Sequence, residues 1–445
     1  MASSQTTHWL CLALYKMACI GSIIFYLIDI ALAEEPPVKL DNDSYSPYVK
    51  QSNPRNVYFG DTHLHTNLSA DAYNSGNKGL GPEEAYRFAK GEAVMAHNGM
   101  EARLYRPLDF LVIADHASNM GVMNGLERKD GELLNTRIGR HWAEKLDEIN
   151  HAANIDPAAA TTLSDKLAYE EGFIKGVVGS DKYRRTVWEK AIALADTHNA
   201  QGKFTALIGY EWTQIFYNLH RVVIFKDNAD KAGQLLPFSQ YDSSDPEELW
   251  AYLDRYQRKT GGEVLAIPHN GNLSSGVMFA LENAKGQPLS RHYAKLRSRW
   301  EPLFEVTQIK GDSETHPVLS PTDEFADYET LSNDIYFFEG VKKQRKLTDY
   351  DHWIEKNLHA NNSNWMRTYE YARTGLQLGL GQQAKLGINP FKFGLIGSTD
   401  AHSSLATADE NNFWGKLTES APHKDRVIGP WRPASKNKLP GWRMN

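Results

Sequence analysis

The sequence predicts an α/β fold in which buried strands alternate with helices around a parallel sheet or barrel. Three features predict it. From about residue 56 onward, short and nearly continuous apolar runs recur along the chain. Segments of helical composition lie between them. Most of the runs end in His, Asp or Glu, and runs of this length without alternation suit strands covered on both faces. Strand alternating with helix is the pattern of βα units.

The runs come in order. "NVYFGDTHLHT" (56–66) is the first and "LDFLVIADHAS" (108–118) the second. "KFTALIGYEWT" (203–213) follows, and "NLHRVVIF" (218–225) reads as an antiparallel partner or extension of it. "GEVLAIPHNGN" (262–272), "PLFEVTQIKG" (302–311) and "FKFGLIGSTDAH" (391–402) complete the series. Helical composition marks residues 81–97, 245–259 and 365–380. Residues 120–200 form a longer, mostly helical insertion after the second run, predicted to rise over the mouth of a barrel as a lid. Residues 312–365 read as irregular. The tail after 415, rich in Pro and Lys, is expected to pack on the barrel surface.

The N-terminus differs in kind. "CIGSIIFYLIDIALAEEPP" (19–37) is an apolar stretch that ends in Ala31-Leu32-Ala33 and turns acidic and Pro-rich. Small residues at Ala31 and Ala33 suit a signal peptidase, so residues 1–33 are expected to be a signal peptide and the protein exported, periplasmic or extracellular. An uncleaved anchor is the competing reading, since the run is nearly long enough to span a bilayer; Asp29 inside it and the Ala-Leu-Ala end favour cleavage, leaving no stable membrane span. Residues 34–55 read as an extended lead-in. Both cysteines, Cys11 and Cys19, lie within the leader, so the rest of the chain has neither a disulfide framework nor a thiolate ligand. Any metal there is held by His, Asp or Glu.

Composition sets the outer limits. The chain has 445 residues, 41% hydrophobic and 23% charged, as a globular protein does. Its formal net charge of −6 argues against broad nucleic-acid contact, which needs basic surface to displace counterions.

The chemistry sits at the run ends. His63 and His65 close the first run, Asp115 and His116 the second, Glu211 the third; His220 lies in the paired strand, His269 closes the next, and Asp400 and His402 the last. In a parallel α/β barrel the C-terminal strand ends meet at one mouth. Residues i and i+2 of a strand point to one side, so His63/His65 and Asp400/His402 can each offer two groups to one ion. Imidazole with carboxylate and no sulfur favours Zn, Mn or Fe over Ca or Mg. With Asp71 counted and Asp115 left out, the candidate ligands number nine, too many for one four-coordinate ion, and two or three divalent ions are expected. Singly, each residue has a plainer reading: a hydrogen-bonded core histidine, or for Asp71 and Asp115 a turn former or cap. The joint pattern is what a plain core does not show.

Together "GDTHLHT", "VIADHA", "GYEWT", "IPHNGN" and "GSTDAH" resemble the PHP superfamily, the polymerase and histidinol phosphatase domains, and within it a branch long labelled as a domain of unknown function. The resemblance covers roughly residues 56–405 of a domain set at 56–415, with a tail at 416–445. It implies a distorted (β/α)7 barrel, TIM-barrel-like, carrying a two- or three-metal site; six strand-end motifs are clear and the seventh strand is assumed. Carried over motif by motif, it gives His63, His65, Glu211 and Asp400 to a first metal. Glu211 then bridges to a second held by His220 and His269, and His116 and His402 hold a third. The family often has a histidine where this chain has Asp71, which points to a harder ion at that third position.

Such a site lowers the pKa of a bound water and neutralises charge growing on a phosphoryl or carbonyl oxygen. The first expectation is therefore a metal-dependent hydrolase acting on an anionic small-molecule phosphate ester, with Glu211, Asp400 and Lys310 in catalytic roles. The alternative is hydrolysis of another C–O or C–N bond, as in amidohydrolases, and a third is a non-catalytic metal-binding protein. Arg221 is expected to face away from the site by alternation, and Arg373 to reach in from a helix or serve as a surface charge. Glu305, Asp61 and Asp115 are candidates to orient ligand histidines, and Trp212 is expected in the core.

Overall fold

A computed structural model of the chain describes residues 56–423, apart from 154, 156–177, 215–216 and 331–363. The leader and lead-in assigned to residues 1–55 lie outside the described residues, as does the tail beyond residue 423. The architecture is that of the unit Tyr58–Asn445.

The chain is mixed α/β. Among the described residues ten strands run in order: β1 (Gly60–Leu64), β2 (Val94–Met95), β3 (Glu101–Ala102), β4 (Phe110–Ile113), β5 (Thr205–Trp212), β6 (His220–Phe225), β7 (Val264–His269), β8 (Leu303–Gln308), β9 (Gly311–Asp312) and β10 (Gly394–Gly397). A curled five-stranded sheet has the order β1-β4-β5-β6-β7, and a three-stranded sheet the order β10-β8-β9. β1, β4 and β5 are parallel, whereas β6 is antiparallel to both β5 and β7. That reversal matters: His220, the first residue of β6, pairs with His269, the last of β7, and so lies at the same rim. β8 and β10 are parallel, and just past β10 a parallel bridge joins Leu64 to Ala401.

Two apolar layers result from alternation. The outward face of the sheet packs against the helices Pro82–Ala89, Asp181–His198 and Pro246–Thr260, burying Tyr86, Trp188, Tyr210, Phe225, Trp250 and Tyr256 in one core. The inward face makes a second cluster from Val112, Ala114, Val222, Ile224 and Ile267, joined by Leu207, Leu265, Leu303 and Ile396, so both sheets contribute. Each inward file then continues to a polar residue at the rim: Val112, Ala114, His116; Leu207, Gly209, Glu211; Ile224, Val222, His220; Leu265, Ile267, His269; Leu303, Glu305. The period of two makes these residues share a face. An apolar plug thus fills the base of the curl and imidazoles and carboxylates crown it.

Several sequence expectations meet local corrections. The helix expected over 81–97 ends at Ala89; Gly91 adopts φ +82°, and Val94–Met95 turns into a hairpin with Glu101–Ala102. The helix expected over 365–380 is two pieces, Asn364–Arg367 and Ala372–Leu386. Between them the backbone is used across the fold: Tyr369 O accepts from Phe279 N, Ala372 N donates to Ser313 O, and Arg373 N to Glu314 O. The 245–259 helix is Pro246–Thr260, capped by Asp245 and closed by Gly261 at φ +64°. Within 120–200, helices Val122–Glu127, Gly131–Leu134 and Arg137–Ala153 gather around Leu126, Leu133, Trp142 and Tyr183 in a satellite core that also takes in Tyr73. The last helix of that range, Asp181–His198, instead covers the sheet through Trp188, Ile192 and Ala195. Among the described residues no helix is long and apolar enough to cross a membrane.

Gly209 sits in the inward file directly below Glu211. A Cβ there would lie 2.5 Å from Val112 Cγ1 and 2.8 Å from Val223 O, and the latter is backbone that cannot swing aside. Gly209→Ala is expected to lower the free energy of unfolding by about 1–3 kcal/mol through overpacking, read as a lower urea midpoint at unchanged m-value. An unchanged midpoint would show that the plug has room to spare.

Candidate metal centre

β1 leads into the site. His63 and His65 are fully buried on its inward side, and the segment after β10 lies alongside, with Asp400 N donating to His63 O (2.8 Å) and His65 N donating to Ala401 O (2.9 Å). Asp400 itself adopts φ +51°, a left-handed conformation uncommon for a residue with a side chain, of the kind held at functional positions by surrounding structure. These bonds place Asp400 against the two histidines although it lies at the other end of the described chain.

Four ligand atoms from distant segments then converge. His63 Nε2 and His65 Nε2 are 3.0 Å apart. Each lies 3.1 Å from Glu211 Oε2, and Asp400 Oδ1 is 3.4 Å from the first and 3.3 Å from the second. An ion bound tetrahedrally at ordinary Zn–N and Zn–O lengths has ligand–ligand edges of about 3.3 Å. Five edges of this group thus fall at the spacing a small divalent ion needs. The tautomers agree with that reading. His63 Nδ1–H donates to Glu305, 3.1 Å from both carboxylate oxygens, and His65 Nδ1–H donates to Ser69 Oγ at 2.9 Å. With those Nδ1 protons in place each Nε2 is the atom that would face an ion, and without an ion a second proton on His63 relieves the contact between the two.

Glu211 divides its two oxygens. While Oε2 faces His63 and His65, Oε1 lies 2.7 Å from His220 Nδ1, 3.4 Å from His116 Nδ1 and 3.7 Å from His269 Nε2. His220 Nε2 and both ring nitrogens of His269 are buried without a hydrogen-bond partner. Buried donors and acceptors are ordinarily satisfied, so these orphans mark positions where a further group belongs. A third cluster joins His65, His116 and His402. Asp71, on the helix Ala70–Asn74, has Oδ2 at 3.0 Å from His116 Nε2 and 2.9 Å from His402 Nε2. His402 Nδ1 lies 2.9 Å from Asp400 O and 3.1 Å from Lys416 Nζ; with its proton on Nδ1 toward the carbonyl, Nε2 is free. These buried His and carboxylate clusters could hold metal ions.

The electrostatics point the same way. Burial opposes ionisation of Glu211, but His116, His220 and His269 hold it well below the usual carboxylate range. Burial likewise opposes charge on Asp400, and Lys310, Lys416 and His63 outweigh it. Burial would neutralise His63, yet Glu305 and Asp400 raise its pKa to about 10. Burial takes His220 down to about 3, and burial with Lys416 takes His402 down to about 3, so both rings are in the neutral form that ligates.

All nine sequence-predicted ligands therefore meet in one place, and Lys310 joins them with its ammonium on Asp400 Oδ2. Glu305 sits behind His63 as expected. Asp115 acts through hydroxyls rather than on a ring: it accepts from Ser69 Oγ (2.7 Å) and Thr66 Oγ1 (2.6 Å). Asp61 departs from expectation, because it accepts from the backbone of His63 and from Thr399 and touches no imidazole. Arg221 faces outward into a buried ion pair with Glu301 at 3.0 Å, and Trp212 is core. Arg373 pairs with Glu314 and Asp323 on the surface and does not reach the site. Sequence reasoning missed Ser69, Thr213 and Lys416. Thr213 shares the strand face of Glu211, where its hydroxyl donates to Glu211 Oε1 at 2.7 Å, and so carried a spacing signal; Ser69, in the turn before the helix Ala70–Asn74, carried none. Lys416 carried none.

Glu305 is 1% exposed and meets His63 at Nδ1, the ring nitrogen opposite the one that faces Glu211. Glu305→Ala is expected to weaken metal retention roughly 10- to 100-fold, measured by competition with a chromogenic chelator; equal retention would remove its orienting role. Since metal-free His63 keeps its proton up to about pH 10, binding must displace that proton. Affinity is then expected to climb as pH rises through the neutral range, with proton release visible by calorimetry in buffers of different ionisation enthalpy. A pH-independent affinity would contradict this.

No curated protein and no solved structure matches the chain. A family model does match, over residues 52–445. With that share of its length aligned, the chain belongs to the family described as Protein of unknown function (DUF3604).

Proposed function

We propose that this protein is a metal-dependent hydrolase of the PHP type, acting on a phosphate ester of a small molecule. The observation that carries the reading is the divided carboxylate of Glu211, with three imidazole-lined groups around it and lysines at one edge. Structural metal sites are usually single and closed; this one has several groups sharing ligands, and Asp71 and the lysines at its margin keep access to solvent. Two ions, or three, of Zn, Mn or Fe suit the donor set. On the same reading the two sheets form one distorted (β/α)7 barrel, closed through the bridge between Leu64 and Ala401.

Bound divalent ions supply Lewis acidity and make water acidic near neutral pH. The protein's own groups do the rest. Glu305, Ser69 and the Asp400 carbonyl fix the rings of His63, His65 and His402, and Thr213 Oγ1, 2.5 Å from His116 Nδ1, fixes that of His116. Glu211 and Asp400 bring carboxylate charge that sets how strongly the ions are held. Lys310, with its side chain 23% exposed, meets the anionic part of an incoming ester. Four carboxylates touch the histidine cluster, those of Asp71, Glu211, Glu305 and Asp400, and in the metal-free protein two ammonium groups and the protons held by His63 and His116 face them, positive charge that bound divalent ions would supply instead. Phosphoryl transfer to water suits such a centre, which needs no covalent nucleophile from the protein.

Elemental analysis of the purified full-length protein is expected to give two or three divalent ions per chain, reduced in His63→Ala and Asp400→Ala. Chelation is expected to abolish turnover of phosphate esters while far-ultraviolet circular dichroism stays native. A panel of phosphate monoesters, diesters, lactones and amides assigns the bond; activity confined to amides or lactones would reject the phosphoesterase reading. No turnover of any member by the metal-loaded protein would reject hydrolysis altogether. Export rests on residues 1–33 alone, and N-terminal sequencing of the protein recovered from its native host tests it: an intact Met1 would refute cleavage. The helices within 131–153 are read as shaping the entrance through Tyr73, two residues from Asp71. Replacing them by a short linker with no change in substrate size preference would remove that role.

A further inference from the structure

Lys310 is not the only cation at Asp400. Lys416 comes from the segment after the last strand, beyond every motif that carries the fold. Its backbone is pinned where His402 N donates to Lys416 O at 2.6 Å, and Trp414 and Leu417 on either side are 4% and 6% exposed. Its ammonium donates to Asp400 O at 2.8 Å and lies 3.2 Å from Asp400 Oδ2. Lys310 approaches the same Oδ2 from the turn between β8 and β9. The two oxygens of Asp400 therefore face different things: Oδ1 the two histidines of β1, Oδ2 the two lysines.

One carboxylate oxygen needs one ammonium group for neutrality, and two like charges held at it repel. Among the described residues, Asp400 is the one carboxylate within ion-pair distance of either lysine. A divalent ion held by Asp400 with His63 and His65 would take up the charge of that carboxylate and leave both ammonium groups without a full counter-charge. Both also keep contact with solvent, with side chains 23% and 17% exposed. Two cations side by side, at the edge of a metal position and reachable from outside, match a compact group with two negative charges.

We propose that Lys416 and Lys310 form a clamp, across Asp400, for the dianionic terminal phosphoryl group of the substrate, which makes a phosphate monoester the preferred ester over a diester. The clamp rests on the hydrolase reading for its metal and its substrate class, but binding of the anion can be measured without turnover.

The test titrates inorganic phosphate into the metal-loaded full-length protein by calorimetry, with bound metal counted in each variant. Lys416→Met is expected to weaken phosphate binding roughly 10- to 100-fold, the worth of one charge-assisted hydrogen bond, with the metal count unchanged. Lys416→Arg is expected to recover much of the loss. The exposed pair of Lys226 with Glu263 supplies the control, since Lys226→Gln removes the same charge from the surface. For ester turnover, Lys416→Met is expected to raise KM for monoesters and to shrink the preference over diesters. Unchanged phosphate affinity in Lys416→Met overturns the clamp, as does an equal loss in Lys226→Gln. Loss of metal in Lys416→Met also overturns it, because the lysine would then act only by holding Asp400. Phosphate binding that depends on Lys416 without turnover of any ester leaves the clamp standing and rejects the hydrolase reading. Turnover of neutral esters with no phosphate binding does the reverse.

Discussion

Acceptor atoms crowded at 3.0–3.4 Å around Glu211 are the constraint on which the rest of this structure turns. Imidazole lone pairs and carboxylate oxygens repel at that spacing in a buried, low-dielectric setting. The protein holds them there by fixing the far side of each ring. Glu305, Ser69 and the Asp400 carbonyl each take an Nδ1–H, so three rings from two remote segments present Nε2 to common points. A divalent ion converts this repulsion into attraction, and without one the raised pKa of His63 shows a proton partly serving that purpose.

The scaffold is arranged around the same demand. Strand alternation carries each inward file from apolar plug to polar rim, so the side chains that anchor the curl also set the height of the ligands. Glycine at 209 is part of that fit, since the file below Glu211 has no space for a methyl group. The reversed strand β6 delivers His220 from its first residue rather than its last, and pairing with β7 sets it opposite His269. Among the described residues, the short Ala70–Asn74 helix is the one that brings a side chain to the histidine cluster, placing Asp71 at its third group. The same helix carries Tyr73 into the satellite core of the insertion, which ties the outermost carboxylate of the site to the part of the chain least required by the sheet.

Much of this was legible in the sequence because its physical cause is local. Each of the seven apolar runs contains a strand, since buried strands need continuous apolar residues whatever surrounds them. His63 with His65, and Glu211 with Thr213, share a face by the period of two. Other features were not legible. The helix expected over 81–97 stops at Ala89 because the chain must turn back into a hairpin, and composition does not record that turn beyond Gly91. Asp61 looks like a partner for a neighbouring histidine, yet its carboxylate is taken by backbone and Thr399 from the opposite end of the chain.

Residue type and spacing were enough to read off the strands and the imidazoles and carboxylates that gather at one rim, because strand periodicity and donor type are local properties of the chain. Tertiary structure alone decided which oxygen of Glu211 and of Asp400 faces which partner, that Arg221 turns to Glu301, and that Lys416 leaves an expected surface tail to stand beside Lys310. Those outcomes depend on pairings between segments hundreds of residues apart, where no local spacing rule reaches and only the closing of the fold fixes the distance.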